Sequence, residues 1–178
     1  AGRIYQKYRR TREAEEHWRR AAGLDPSRSS CRSHLASLYE RTGRIPEAIR
    51  MYEKVRELDP ESAVVCLSLA SLYAREKRLV DAEKALKKAI ELEPELSWGY
   101  RDLASLYLSV KIKPREAKAL AQKAVDLEPS PANYHILGWA LYANGDVAES
   151  LLAMQRATEL DPNNAGYKRR YEQIRQRQ

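Results

Sequence analysis

A tripeptide of Leu, an acidic residue and Pro returns five times along the chain at an almost constant interval. The spacings between its prolines are 34, 34, 35 and 33 residues, and the prolines are Pro26, Pro60, Pro94, Pro129 and Pro162. Each tripeptide is expected to end a helix, because the residue before a proline avoids the helical conformation. Five units of this length predict an array of similar folding units.

Small side chains mark two further positions of every unit. Those that precede the proline by twelve residues are Ala14, Ala48, Ala82, Ala117 and Ser150, and those that precede it by five are Ala21, Val55, Ala89, Ala124 and Ala157. Small residues at helical spacing let two helices approach closely. A Leu-small pair with Tyr three residues on opens three units, and Leu35, Leu38 and Tyr39 follow the i, i+3, i+4 pattern of an apolar helix face. Each unit is therefore predicted to be a pair of helices.

These marks together resemble the tetratricopeptide repeat family, whose 34-residue helix-turn-helix unit carries W-x2-L-G-x2-Y, then A-x3-F, then Ala and Pro. The resemblance covers nearly the whole chain and implies an all-α fold. The expected architecture is a right-handed superhelical solenoid of antiparallel helix pairs with a C-terminal capping helix. The sequence departs from the family pattern in having no Phe, and in placing Lys77 where Gly43 and Gly145 end the first helix of other units.

The domain organisation follows from the repeat. We expect a single domain over residues 1–178 that consists of a clipped repeat 1–28, full repeats 29–62, 63–96, 97–130 and 131–164, and a capping helix 165–178. Eleven helices are predicted, near residues 1–9, 12–24, 29–41, 45–58, 63–76, 79–92, 97–109, 114–127, 131–144, 147–160 and 165–177. Residues 2–7 already have the character of a helix interior, so the chain is expected to be a piece of a longer protein.

The resemblance also implies a concave groove that is lined by the first helix of each pair and binds an extended peptide or a helix. Alignment of the units places the candidate groove residues at Ser33, His34, Ser37, Arg41, Ser68, Ser71, Arg75, Trp98, Arg101, Ser105, His135, Trp139 and Tyr142. Trp98, Trp139 and Tyr142 are the candidate anchors, since Trp and Tyr are enriched in binding hot spots. A core position is the alternative for Trp139, and Trp18 is expected in the core. Ser37, Ser71 and Ser105 occupy one equivalent position and could either donate hydrogen bonds or simply tolerate solvent.

One family subtype can be tested on the residues. Chaperone-binding members hold a C-terminal carboxylate with Lys, Asn, Asn, Lys and Arg from three successive first helices. The matching positions in one window are Ser33, Ser37, Ser68, Trp98 and Asp102, and those in the next are Leu67, Ser71, Asp102, Ala132 and Ile136. Neither set contains a cation, which argues against a chaperone-tail adaptor.

No constellation for chemistry is found in the sequence. His17, His34 and His135 lie in three different units and have no partner at a motif spacing. Two cysteines, Cys31 and Cys66, make no metal motif and are expected to be buried free thiols. The chain is therefore predicted to be no enzyme and to need no metal or cofactor. Its composition, 43% hydrophobic and 32% charged, excludes a disordered chain and a membrane-inserted one.

Three functions are weighed. The leading one is a protein-protein interaction scaffold that holds a partner's peptide or helix in the groove, as a module of a larger protein or complex. The second is a structural module that stacks on another domain or on a second copy of itself, with self-association through its exposed N-terminal repeat. The third is nucleic-acid binding through the two basic ends, where the net charge of +7 is concentrated. It is the weakest, because Asp and Glu are interleaved through the middle units and no aromatic residues are interleaved with the cations. The partner and the compartment stay open: reduced cysteines are compatible with the cytoplasm, and any targeting signal would lie upstream of Ala1.

Overall fold

The computed structural model describes the backbone of residues 2–176 and the side chains of residues 10–176. Ten helices account for the regular structure of that range, and no strand occurs within it. They are α1 (Gly2–Leu24), α2 (Ser29–Arg41), α3 (Ile45–Leu58), α4 (Ala63–Arg75), α5 (Leu79–Leu92), α6 (Ser97–Ser109), α7 (Pro114–Leu127), α8 (Pro131–Ala143), α9 (Val147–Leu160) and α10 (Ala165–Arg175).

Helix boundaries agree with the sequence prediction to within two residues from residue 29 onward. All five Leu-acidic-Pro tripeptides end a helix at their leucine, as the steric effect of proline requires. The prediction of two helices near residues 1–9 and 12–24 was wrong, because α1 runs without a break from Gly2 to Leu24. No Gly or Pro lies between Gly2 and Gly23, so nothing in the sequence stops the helix where the family has a turn.

The chain divides into two compact units, Ala1–Ala85 and Leu86–Gln178. In the first unit α1 packs on α2, α2 on α3, and α3 on α4. Short turns join these helices, so that neighbours run antiparallel. The core between them is built from the positions that the apolar pattern marks, including Leu35, Tyr39, Leu69 and Tyr73, all 3% exposed or less. Cys31 and Cys66 are free thiols buried in the same core, as predicted.

The second unit repeats this packing and is closed by the last helix. Here α6 packs on α7, α7 on α8, and α8 on α9. Helix α10 packs on α9 and buries Ile174, which is 3% exposed, so a C-terminal capping helix is present as predicted. Asn133 is fully buried, and its Nδ2 donates to the carbonyl oxygens of Ala124 and Glu128 at 3.0 and 2.7 Å. This amide satisfies two carbonyls at the end of α7, where the linker to α8 is one residue shorter than in other repeats.

A common turn ends the first helix of each full repeat. In the repeat 29–62 the Arg44 amide donates to the Tyr39 carbonyl at 2.8 Å, with Gly43 at a φ of 76°. In the repeat 63–96 the Arg78 amide donates to the Tyr73 carbonyl at the same distance, but the left-handed position is held by Lys77, with a φ of 59°. Glycine adopts this conformation without the steric penalty that a Cβ carries, so Lys77 is strained.

We therefore expect Lys77→Gly to raise the free energy of unfolding by roughly 0.5–1 kcal/mol, the difference between the strain of a side chain at positive φ and the entropic cost of glycine. Urea denaturation followed by circular dichroism would measure the change. Gly43→Lys places the same side chain in the same turn of the preceding repeat and should shift stability in the opposite direction. A Lys77→Gly variant that is less stable than the parent would contradict the strain.

Candidate functional site

The candidate groove residues of the first unit lie on one face of α2 and one face of α4. Ser37 and Ser71 are exposed, whereas Ser33 and Ser68 are half-buried. The Ser33 hydroxyl donates to the Ser29 carbonyl at 3.2 Å, and the Ser68 hydroxyl donates one turn back to Val64 at 2.9 Å. The inner serines are therefore bonded within their own helices, and the outer pair faces solvent.

Charged side chains link the two faces at their C-terminal ends. Arg75 Nη1 of α4 lies 3.9 Å from Glu40 Oε1 of α2, and Arg41 is exposed beside them. The pair is about half exposed, so it contributes little to stability and leaves polar groups accessible on this face.

The imidazole of His34 is stacked on the indole of Trp18 at 4.3 Å between ring centroids. Trp18 is half-buried in this contact, not enclosed in the core.

In the second unit the most accessible aromatic residue of the candidate set is Trp98, whose side chain is on the first turn of α6. The residue is 50% exposed. Arg101 and Ser105 follow it at i+3 and i+7, so the three side chains share one helix face. Arg101 is half-buried, and its Nε donates to Asp102 Oδ1 at 2.9 Å. This face combines an exposed apolar ring with a paired charge, a composition common at interaction surfaces.

Two of the three candidates on α8 contact side chains of α10. The ring of Tyr167 is 5.0 Å from that of His135, and the Arg170 guanidinium lies over Trp139 at 5.3 Å from the ring centroid. His135, Trp139 and Tyr142 are all half-buried. Burial lowers the pKa of His135, and the charge of Arg170 lowers it further. His135 and Trp139 therefore contact a helix of this same chain. In the sequence, Tyr167, Tyr171 and Ile174 form an apolar face of α10 that indicates such a contact, but the sequence does not indicate which helix this face meets.

Among the side chains of residues 10–176, no group of three His, Cys, Asp or Glu is arranged to hold a metal ion. The helices described are also all too short or too polar to cross a lipid bilayer. What the geometry defines is a class of protein: paired helices in tandem, with polar and aromatic side chains on the exposed faces of the first helices.

Models of known protein families identify that class. Three models described as tetratricopeptide repeat match the chain, over residues 1–63, 42–98 and 131–164. The chain therefore belongs to the tetratricopeptide repeat family, whose members are generally non-enzymatic interaction scaffolds. No curated protein matches it significantly.

Solved structures with the same fold are numerous and distant in sequence. A structure of MamA has a TM-score of 0.78 at 22% identity and covers 93% of this chain and 96% of its own. A thermophilic TPR protein of Thermus thermophilus has a TM-score of 0.73 at 20% identity, covering 97% and 94%. YrrB, a TPR protein with an unusual peptide-binding site, has a TM-score of 0.71 at 21% identity, covering 86% and 79%. At these identities the likeness establishes the fold.

The packing of α10 against α8 can be tested by measuring the pKa of His135. Arg170→Ala removes a nearby positive charge and should raise the pKa of His135, which NMR titration of the imidazole Cε1 proton would measure. Tyr167→Ala should raise it more, because burial is the larger cause. Because the folded-state pKa is lowered, the associated stability is present above the unfolded pKa and is lost as pH falls through the folded one.

The matched control is Arg169→Ala, which removes the same charge from an exposed neighbouring position of α10. It should leave the His135 titration close to that of the parent protein. Equal shifts in the Arg169 and Arg170 variants would show that the ring senses net charge and not a packed helix.

Proposed function

We propose that the exposed faces of the first helices bind an extended segment or a helix of a partner protein, and that the protein acts as a scaffold without catalysis. The observation that carries this proposal is Trp98, a large aromatic side chain 50% exposed on a first helix. Indole rings supply much contact area at low entropic cost and are enriched among binding hot spots. Arg101 on the same face would orient a polar group of the partner.

The first unit offers a complementary kind of surface. Ser37 and Ser71 are exposed at equivalent repeat positions, and their small side chains leave room for a partner's backbone. Arg41 and Arg75, both exposed, lie near the end of the same faces. His135 and Trp139 are left out of the proposed contact surface, because α10 already packs against them.

Family relatives support the same class of activity. YrrB is described as a TPR protein with an unusual peptide-binding site, and another structure with a TM-score of 0.74 is the APC/C hetero-tetramer Cut9-Hcn1. This chain covers 29% of that chain, so only the fold is shared with part of it. A peptide or a protein subunit is the corresponding kind of partner that we propose here.

The binding face can be located by photo-crosslinking. A benzophenone amino acid at Ser37 or Ser71 should capture the partner from extract of cells that express the protein. The same probe at Lys84, exposed on a second helix, should capture less. Capture that is equal at all three positions would argue against recognition by the first helices. Dimers of the chain as the sole captured species, also seen by light scattering, would support the self-association hypothesis instead.

The contribution of Trp98 can then be measured on the captured partner. Trp98→Ala should weaken binding by about 2 kcal/mol, roughly 30-fold, if the ring is a hot spot. Isothermal titration calorimetry gives the affinity. Leu152→Ala is the matched control, since it truncates a large apolar side chain that is 68% exposed on the second helix α9. It should bind like the parent, and an equal loss in both variants would contradict the proposal.

A further inference from the structure

A cleft in the first unit opens on the side of α2 opposite to its serines. It has a volume of about 310 Å³ and lies between the end of α1 and the middle of α3, with α2 as its floor. Ser33 and Ser37 are about half a turn around α2 from Leu35 and Tyr39, which line the cleft. The cleft is therefore separate from the face proposed above, and its evidence is independent of that proposal.

The walls of the cleft are strongly cationic. Arg19, Arg32, Arg50 and Lys54 line it, with Glu47 as the one carboxylate among the lining residues. Glu47 is already paired, because it accepts a hydrogen bond from Arg44 Nε at 3.0 Å. That bond lowers the pKa of the Glu47 carboxyl and keeps it ionised. The remaining charge of the walls is positive.

Two of these cations are available to a ligand. Arg19 donates to the Tyr39 hydroxyl at 3.1 Å and also pairs with Glu15, while Arg32 donates to the Pro26 carbonyl. Arg50 and Lys54, one turn apart on α3, are exposed and make no ion pair within 4 Å in the described part of the chain. Their charged groups stand at the cleft, and Arg50 also interacts electrostatically with the Glu47 carboxylate without a close contact.

The space in the cleft depends on two small residues at the end of α1. A Cβ built on Gly23 would meet no atom within 4 Å, and its neighbour Ala22 also lines the cleft. The residues one 34-residue period later are Arg56 and Glu57, and the position of Arg19 becomes Glu53. The next repeat thus carries longer side chains at the two small positions and a carboxylate in place of Arg19, so its residues there do not reproduce this cationic lining.

We propose that this cleft binds an acidic segment of a protein partner, with an apolar side chain seated between the partner's carboxylates. The cations supply charge-assisted hydrogen bonds, and the half-buried side chains of Ala22 and Met51 supply an apolar seat. A volume near the lower limit for ligand pockets suits one or two side chains. A nucleic acid fits less well, because the one aromatic ring of the lining, Tyr39, is 3% exposed and offers no face for base stacking.

The test uses the whole chain and a fluorescein-labelled peptide of sequence Glu-Glu-Leu-Glu-Glu, followed by fluorescence anisotropy at about 150 mM salt. Arg50→Glu combined with Lys54→Glu should weaken binding by at least about tenfold, since it turns two attractive charges into repulsive ones. The matched control is Lys84→Glu combined with Lys88→Glu. It makes the same charge change at the equivalent positions of the next repeat, where both lysines are exposed, and should bind within about twofold of the parent.

A second variant tests the cleft without altering its cations. Gly23→Glu places a carboxylate in the open space at the end of α1, as Glu57 does one period later, and should also reduce binding about tenfold. Its fold should be intact, because Glu is a better helix former than Gly. Circular dichroism of each variant checks this.

The peptide itself supplies further controls. Gln-Gln-Leu-Gln-Gln should bind at least about tenfold more weakly, and Glu-Glu-Ser-Glu-Glu several-fold more weakly, because it leaves the apolar seat empty. Equal losses in the two double variants, or no loss in Gly23→Glu, would overturn the proposal. Binding would then depend on the overall positive charge of the chain and not on the cleft. Displacement of the peptide by oligouridylate at lower concentration than by unlabelled peptide would overturn it in favour of nucleic acid.

Discussion

The close contact between the two helices of a repeat is the constraint on which the rest of this structure depends. Ala48, Ala82, Ala117 and Ser150 stand at one repeat position and are all 0% exposed. At Ser150 the contact is direct, since its hydroxyl donates to the Gly138 carbonyl of the preceding helix at 2.8 Å. A Cβ on Gly138 would lie 2.8 Å from Met154 Cγ. Helices that approach this closely have no room for a larger side chain, so the period of small residues fixes which helix faces meet.

A second repeated contact links the turn of a repeat to the first helix of that repeat. The Tyr73 hydroxyl donates to Glu53 at 2.8 Å while the Arg78 guanidinium lies 4.4 Å over its ring, and burial together with Glu53 raises the pKa of Tyr73 to about 12. Tyr39 with Arg44 and Tyr107 with Lys113 repeat the cation over the ring. In the fifth repeat Leu141 and Asp146 take these positions. Asp146 instead pairs with Lys118 at 2.8 Å, so in this turn an ion pair replaces the contact between a cation and a ring.

The fold could be predicted from the sequence because its signals are local and repeated. A proline stops a helix through its own ring, and small residues at a fixed period need no distant information, so the helices from Ser29 onward were found. The continuous α1 was not predicted, because the family pattern indicates a turn near residues 10–11. The sequence has no Gly or Pro there to break the helix. The candidate site was harder to predict. Whether Trp139 is accessible depends on where α10 packs, and no local pattern of α8 or α10 specifies that contact. The cleft was missed because its lining comes from three helices.

The two sides of α2 illustrate why such a scaffold can have more than one binding surface. A helix in a paired array buries one stripe and leaves flanks on either side, and the repeat pattern constrains only the buried stripe. In α2 that stripe contains Leu35, Ala36 and Tyr39, all 3% exposed or less. Residues outside it are free to diverge between repeats without loss of stability, as Arg19 and Glu53 do at one equivalent position. Differences in specificity between repeats should therefore be sought where exposed equivalent positions differ in charge or size, because the buried positions that agree, such as Ala48, Ala82 and Ala117, maintain the fold.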